Sequence, residues 1–161
     1  VPSSYSYKHT GRAPSKEKPS EKYRTGYIDE TYEPLYPFGY GLSYTQFEYG
    51  ELSLDKEVIN NTEFLTASIT VTNKGTVDGK EIVQLYLRDV VGSVTRPLKE
   101  LKGYEKIYLK AGESKTVRFR ITPEMLKFYN YNIEYVYEPG EFDVMVGCNS
   151  RDVQTKRFTL R

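Results

Sequence analysis

The sequence has a single cysteine, Cys148, and a single histidine, His9, among its 161 residues. One cysteine cannot form an internal disulfide, and one cysteine with one histidine cannot make a zinc site of the usual four-ligand kind. The glycines do not fall in either of the two common phosphate-binding loop patterns. We therefore predict neither a bound metal nor a cofactor.

Charge of one dominant sign is also missing. The chain carries 23 Lys and Arg against 22 Asp and Glu, for a formal net charge of +1. This balance gives no long-range field that would attract a phosphate backbone, so we predict no nucleic-acid partner. No apolar run approaches the roughly 18 residues that a spanning helix needs, so we predict no membrane partner either. The chain begins at Val1 rather than Met, from which we expect a fragment of a longer protein.

A catalytic constellation is equally hard to find. A Ser-His-Asp or Cys-His arrangement needs an imidazole beside the nucleophile, and His9 is the only one available. Four carboxylates surround the Pro139-Gly140 turn, namely Glu134, Glu138, Glu141 and Asp143. A retaining pair would need a cleft, which a convex hairpin does not offer, so we interpret them as solvated turn charges. We predict no catalytic residue in this chain.

Residues 1–35 differ from the rest of the sequence. They contain four prolines, many Ser, Lys and Tyr, and almost no aliphatic side chains, so they cannot build a core of their own. We interpret this part as a linker arm. Its composition fits either a solvated loop or, because of its tyrosines, a segment that lies on a neighbouring domain.

From about residue 46, apolar and polar residues alternate with the period of a β-strand. Residues 64–73 show this most clearly, and the same pattern places Gln84 and Tyr86 on the polar face of a strand near 83–88 and Cys148 on the apolar face of another. The strands that we predict lie at 47–54, 64–73, 83–88, 101–109, 117–122, 133–138, 142–148 and 154–160. A single helical turn is predicted after Thr122, where Pro and Glu follow.

These features predict an all-β fold, an immunoglobulin-like or fibronectin type III-like sandwich of seven or eight antiparallel strands, preceded by an extended N-terminal arm. The densest aromatic run, Tyr36 to Tyr44, lies just before the first strand and includes Phe38 and Tyr40. An exposed patch of this size is unusual on a monomer, so we predict that Tyr36, Phe38, Tyr40 and Tyr44 form a domain interface. A sugar-binding platform is the alternative.

The same run carries a resemblance to a known family. Tyr36-Pro37-Phe38-Gly39-Tyr40-Gly41-Leu42-Ser43-Tyr44 is similar to the segment that opens the C-terminal fibronectin type III-like domain of family 3 glycoside hydrolases, the β-glucosidase and β-xylosidase family. Val71-Thr72-Asn73-Lys74-Gly75, Arg96-Pro97-Leu98-Lys99-Glu100-Leu101 and Glu138-Pro139-Gly140-Glu141-Phe142 resemble later parts of that domain in the same order. The resemblance covers residues 36–161 and implies that residues 1–35 are the linker from a preceding α/β domain.

This resemblance implies a non-catalytic domain of a β-glucosidase-like enzyme, since the family's catalytic residues lie in domains that are absent here. Its implied partners are the catalytic domains of the same parent chain, whose substrate would be a β-linked oligosaccharide. Within the arm, His9 and Arg12 are the residues that would lie at the active-site rim or a domain contact. Such hydrolases are usually periplasmic or extracellular. The alternative function is a carbohydrate-binding module that anchors the enzyme on polysaccharide.

Overall fold

A computed structural model describes Tyr5, Ser6 and residues 34–161 of the chain. These residues contain eleven strands and one short 3₁₀ helix, Pro123–Leu126. The strands are β1 (Phe47–Tyr49), β2 (Ser53–Leu54), β3 (Val58–Ile59), β4 (Leu65–Asn73), β5 (Gly79–Asp89), β6 (Glu100–Leu109), β7 (Ser114–Ile121), β8 (Phe128–Tyr129), β9 (Tyr135–Val136), β10 (Gly140–Gly147) and β11 (Val153–Leu160).

The strands form two main sheets and one small hairpin. In the four-stranded sheet, β4 pairs with β7 and also with β1 and β2, all antiparallel. The five-stranded sheet has the order β3-β11-β10-β5-β6. Every pair in it is antiparallel except the two-residue pairing of β3 with β11, which is parallel. Seven of the strands have three or more residues, so the predicted sandwich of seven or eight strands is confirmed.

The core lies between the two sheets and is built by alternation. Along β4, the buried residues Leu65, Ala67, Ile69 and Val71 are separated by less buried Thr and Ser. They meet inward-facing residues of the other sheet, including Leu85, Val144 and Phe158, in one continuous apolar cluster. Burial of this alternate face supplies most of the driving force for folding.

The five-stranded sheet does not follow the predicted alternation. All residues from Val83 to Leu87 in β5 are buried, as are all those from Phe142 to Gly147 in β10. Gln84 and Tyr86, predicted on a polar face in water, are 5% and 0% exposed. The prediction was wrong because the adjacent strands β5 and β10 are covered on both faces over these residues, so that even their outward positions lose contact with solvent.

Two smaller predictions can be compared directly with the structure. The helical turn after Thr122 is present as the 3₁₀ helix, which has Pro at its start and ends at Leu126. Cys148, however, does not lie on a strand, because β10 ends at Gly147. Its thiol is half-buried, and burial followed by the nearby Glu81 carboxylate raises the pKa of Cys148. Among the described residues, no helix is long and apolar enough to cross a membrane.

Candidate docking surface

Residues 34–44, which we call the aromatic segment, run across the outer side of the five-stranded sheet. Only Pro37 within it is buried, and a turn forms where the Tyr40 N–H donates to the Pro37 carbonyl at 3.0 Å. The aromatic and large aliphatic side chains are exposed, namely Leu35, Tyr36, Phe38, Tyr40, Leu42 and Tyr44. The segment therefore has a fixed backbone turn and an apolar outer surface.

Gln84 connects the aromatic segment to the sheet. Its side-chain Nε2 donates to the Gly39 carbonyl at 3.0 Å and to the Cys148 carbonyl at 2.7 Å. Its Oε1 accepts a hydrogen bond from the Tyr86 hydroxyl at 2.5 Å. A buried amide is expected to have its donors and acceptor paired, and here three separate parts of the chain pair them. Gln84 thus fixes the height of the segment above β5.

Gly39 is the residue that permits this close approach. Its φ of +80° lies in the left-handed region, which side chains other than Gly rarely adopt. A Cβ atom at this position would lie 2.0 Å from Gln84 Oε1, well inside van der Waals contact. Both the conformation and the contact therefore require glycine.

Further contacts hold the segment at either side of Gly39. The Ser150 N–H donates to the Phe38 carbonyl at 2.8 Å. After the segment, Thr45 Oγ1 donates to Asn73 Oδ1 at 2.5 Å, and Asn73 is itself fully buried. The backbone is consequently fastened at two separate places while residues 40–44 between them remain exposed.

The rings of the segment stack on each other and on Tyr5. Tyr5 and Phe38 are stacked with centroids 4.1 Å apart, and Tyr5 meets the Tyr86 ring edge at 5.9 Å. Tyr36 and Tyr40 form a tilted pair at 5.2 Å. Such pairs give rigid apolar area at low entropic cost, which is typical of contact surfaces.

The exposed surface continues onto the edge strand of the same sheet. In the register of β5 with β6, Gln84 lies opposite Tyr104, Ile82 opposite Lys106 and Lys80 opposite Tyr108. Residues directly opposite one another share a face, so these side chains lie on the outer side together with Gln84. Ile82, Tyr104 and Tyr108 are all exposed. The outer face therefore combines covered positions near β10 with open apolar positions on β6.

Basic groups border this face. Lys99 Nζ donates to the Ser150 carbonyl at 2.5 Å, and burial, followed by the charge of Arg88, lowers the pKa of Lys99. Arg151 Nη2 donates to the Pro34 carbonyl at 2.7 Å. Positive charges near an apolar patch favour a partner with acidic groups at the corresponding positions.

The structure places the predicted site residues as follows. Tyr36, Phe38, Tyr40 and Tyr44 all lie in the aromatic segment with exposed rings, and their role as a domain interface stays a prediction. His9 and Arg12 lie outside the described residues, as does most of the predicted arm. Sequence reasoning missed Gln84 and Tyr86, although a large ring at a position predicted to face water was a usable signal of a second covered face.

The carboxylates around the Pro139-Gly140 turn also need a correction. Asp143 is only 5% exposed and accepts a hydrogen bond from Arg157 Nε at 2.8 Å, so it is not a solvated turn charge. Hydrogen bonding to Asp143, together with its charge, raises the pKa of Arg157. A buried carboxylate needs such a partner because an unpaired charge there would be costly.

The other three carboxylates are paired as well, and Glu141 shares Arg157 with Asp143. Glu141 pairs with Arg157 Nη1 at 3.0 Å, Glu138 accepts from the Ser93 hydroxyl at 2.5 Å, and Glu134 accepts from Asn130 Nδ2 at 2.9 Å. Among the residues that the structure describes, no group of three or more His, Cys, Asp and Glu is arranged to hold a metal ion.

Comparison with known proteins gives consistent relatives. A family model of the fibronectin type III-like domain matches residues 81–150. The chain is 48% identical over 160 residues to a periplasmic beta-glucosidase of Salmonella typhimurium. This match covers 99% of the chain and 21% of the Salmonella protein. It is 50% identical over 139 residues to a putative beta-xylosidase of Formosa agariphila, covering 86% of this chain and 18% of that protein.

A solved structure shows the same fold. The beta-glucosidase from Listeria innocua in complex with glucose superposes with a TM-score of 0.89 at 44% identity, covering 97% of this chain and 22% of that one. The chain thus spans about a fifth of the length of the relatives that it matches.

Proposed function

Since the chain is a fibronectin type III-like domain of the family 3 glycoside hydrolases, we propose that it is a non-catalytic domain that packs against and stabilises the catalytic domains of a β-glucosidase-like parent. The single observation that supports this most strongly is the aromatic segment, whose backbone is fixed by Gln84 while its rings face outward. A rigid apolar surface of this kind is suited to burial against another domain.

In such a parent, the other domains would cover the aromatic segment. Because the chain spans 21% of the Salmonella protein, about four-fifths of such a parent lies in other domains that need to be held together. In this arrangement residues 36–161 form the packing domain and residues 1–35 form the linker from the preceding domain. His9 and Arg12 would lie at a domain contact or the active-site rim.

Its benefit to the parent would be geometric. Catalytic groups that come from two different domains must keep their separation, and a misplacement of about 1 Å can cost about a hundredfold in rate. A domain that contacts both limits their relative motion. The substrate of the parent would be a β-linked oligosaccharide. Its location would be periplasmic or extracellular, and the name of the Salmonella relative states the periplasm for that protein.

The test compares the parent chain with the 161-residue chain. Tyr36→Ser combined with Tyr40→Ser should lower the thermal midpoint of the parent by several degrees, because contact area between domains is lost. The same pair of substitutions should leave the midpoint of the 161-residue chain nearly unchanged, since both rings are exposed there. Val91→Ser, at a similarly exposed apolar position away from the segment, is the control in both proteins.

An unchanged midpoint in the parent would contradict the packing role. The 161-residue chain should also show no turnover of an aryl β-glucoside, and turnover that is abolished by a carboxylate substitution within it would refute the non-catalytic assignment. The alternative carbohydrate-binding function predicts instead that the 161-residue chain binds soluble glucan or xylan and that Tyr36→Ser or Tyr40→Ser removes the binding.

A further inference from the structure

A second group of exposed rings lies on a small hairpin at another part of the molecule. Strands β8 and β9 pair Phe128 with Val136 and Tyr129 with Tyr135, and we call residues 127–137 the aromatic hairpin. Tyr131 is 91% exposed, and Tyr129, Ile133 and Tyr135 are exposed as well. None of these side chains contributes to the aromatic segment or to the core.

Asn130 holds the tip of this hairpin in one shape. Its Oδ1 accepts hydrogen bonds from the Asn132 N–H at 2.9 Å and the Glu134 N–H at 3.0 Å. Its Nδ2 donates to Glu134 Oε2 at 2.9 Å, and its own N–H donates to the Glu134 carbonyl at 3.0 Å. A five-residue tip with this many internal bonds has little freedom left to lose when a ligand binds.

The tip also contains the only non-glycine residue with positive φ in the described part of the chain. Ile133 has a φ of 63°, a conformation that a β-branched side chain adopts at a cost of about 1–2 kcal/mol. Strain of this kind is concentrated at sites that bind or react. Here it places Ile133 and Tyr131 in fixed, outward positions.

The base of the hairpin is joined firmly to the sandwich. Phe128 is buried, and the Arg96 guanidinium lies over its ring at 4.4 Å from the centroid. Arg96 Nη2 also donates to Glu100 at 3.1 Å. The aromatic hairpin is therefore a rigid projection rather than a loose loop.

We propose that the aromatic hairpin is a surface binding site for a β-linked saccharide. The Tyr129 and Tyr135 rings lie 5.0 Å apart at an angle of 42°, and Tyr131 extends beyond them. Sugars present apolar C–H faces and hydroxyl edges, so they need ring faces with polar groups beside them. The exposed Asn132 carboxamide supplies a donor and an acceptor at this position, and in the described part of the chain it makes no hydrogen bond.

The chemistry of the surface favours a saccharide over a protein. Standard protein interfaces bury about 800 Å² on each partner, whereas the loop between β8 and β9 has only five residues. Exposed rings can stack on the C–H face of a sugar while the amide beside them hydrogen-bonds to a hydroxyl. Binding at one such surface is weak, and it becomes useful on a polymer that offers many copies of the ligand.

The choice of β-linked sugars rests on the proposed function of the parent, but the test separates the two proposals. The 161-residue chain is run in native gels that contain soluble β-1,3-glucan or xylan, and its retardation gives an affinity. Tyr131→Ser and Asn132→Ala should each weaken binding by about tenfold, as expected for the loss of one central contact. The urea midpoints of these variants should equal that of the unsubstituted 161-residue chain, because both side chains are exposed.

Val91→Ser is the control, since Val91 is an exposed apolar residue outside both the aromatic segment and the aromatic hairpin. Retardation that is lost in the hairpin variants and kept in Val91→Ser is the expected result. No retardation by either polymer, or equal loss in Val91→Ser, would overturn the saccharide site. Binding of the hairpin to another protein would appear as a hairpin-dependent complex without retardation by polymer, and it would also overturn the proposal. None of these outcomes changes the thermal-midpoint test of domain packing.

Discussion

The outward-facing side chains of the two sheets differ in burial. On the four-stranded sheet, the outward residues Thr70 and Thr116 are exposed, and their side-chain hydroxyls hydrogen-bond to each other at 3.0 Å. On the five-stranded sheet, the outward residues Gln84 and Tyr86 are buried and paired. The outer face of the four-stranded sheet is exposed at these residues. The outer face of the five-stranded sheet is covered by the aromatic segment, whose own rings are exposed. The proposed docking surface thus lies over the sheet whose middle strands are covered on both faces.

The strongest test of this difference removes the ring of Tyr86. Because the side chain is fully buried on the outer face, Tyr86→Ala should destabilise the chain by about 3 kcal/mol. Thr70→Ala, at an outward position of the other sheet, should change the free energy of unfolding by less than about 0.5 kcal/mol. Urea unfolding of the two variants measures both values, and similar losses would show that the outer faces are equivalent.

Gly39 and Gly112 offer a second test, since both have positive φ, at +80° and +77°. A Cβ at Gly112 would meet no atom within 4 Å, so Gly112→Ala should cost only the backbone term of about 1 kcal/mol. Gly39→Ala adds a clash with Gln84 and should cost about 2 kcal/mol or more.

The double variant identifies the cause. If Gln84 is replaced by Ala first, Gly39→Ala should fall to the cost found at Gly112, because the clashing atom is gone. Chemical denaturation of the unsubstituted chain, the two single variants and the double variant gives the four free energies of this double-mutant cycle. A penalty at Gly39 that does not depend on Gln84 would remove the role assigned to that side chain.

A smaller effect is expected from single hydroxyl groups on the outer face. Tyr86→Phe leaves the buried Gln84 Oε1 without its donor and should cost about 1 kcal/mol. Tyr104→Phe, opposite Gln84 on the exposed part of the same face, should have almost no effect. Equal values by denaturation would mean that the hydroxyl of Tyr86 is not paired in solution.

The smallest expected effects are in the pH dependence of stability. Burial raises the pKa of Glu81 despite a hydrogen bond from the Tyr49 hydroxyl at 2.9 Å. The folded state therefore binds more protons than the unfolded chain, and this contribution to stability is lost as pH rises above about 4.5, the ordinary value for glutamate. Glu81→Gln should remove the loss.

Asp78 should show the opposite sign. Hydrogen bonds from the Tyr108 hydroxyl and the Ala111 N–H lower the pKa of Asp78, so its contribution is lost as pH falls. Asp78→Asn should flatten stability on the acid side only. Urea midpoints recorded from pH 3 to 8 separate the two variants, and a change of the same sign in both would contradict the assigned environments.

Much of the sandwich could be predicted because one physical rule governs it. Leu65 to Val71 and Val117 to Ile121 alternate since one side of their sheet packs on the core and the other meets water. The predicted turn after Thr122 followed from the geometry of proline. These features depend on neighbours in the sequence or on a single face.

The rest depends on contacts that are distant in the sequence. Gln84 looked like a solvent-facing residue because nothing local shows that Gly39, 45 positions earlier, lies over it. The burial of Asp143 depends in the same way on Arg157 of the neighbouring strand. The positive φ of Ile133 is imposed by the hydrogen bonds of Asn130, which no propensity of isoleucine would indicate.

The carboxamide of Gln84 makes the outer layer sensitive to a change of almost no volume. Its nitrogen faces two carbonyl oxygens, from Gly39 and Cys148. Replacing that nitrogen by oxygen, as in deamidation to glutamate, would turn two attractions into two repulsions while keeping the side chain's shape. A single atom would then decide whether the aromatic segment stays attached, and a docking surface could be lost by chemical ageing without any damage to the core.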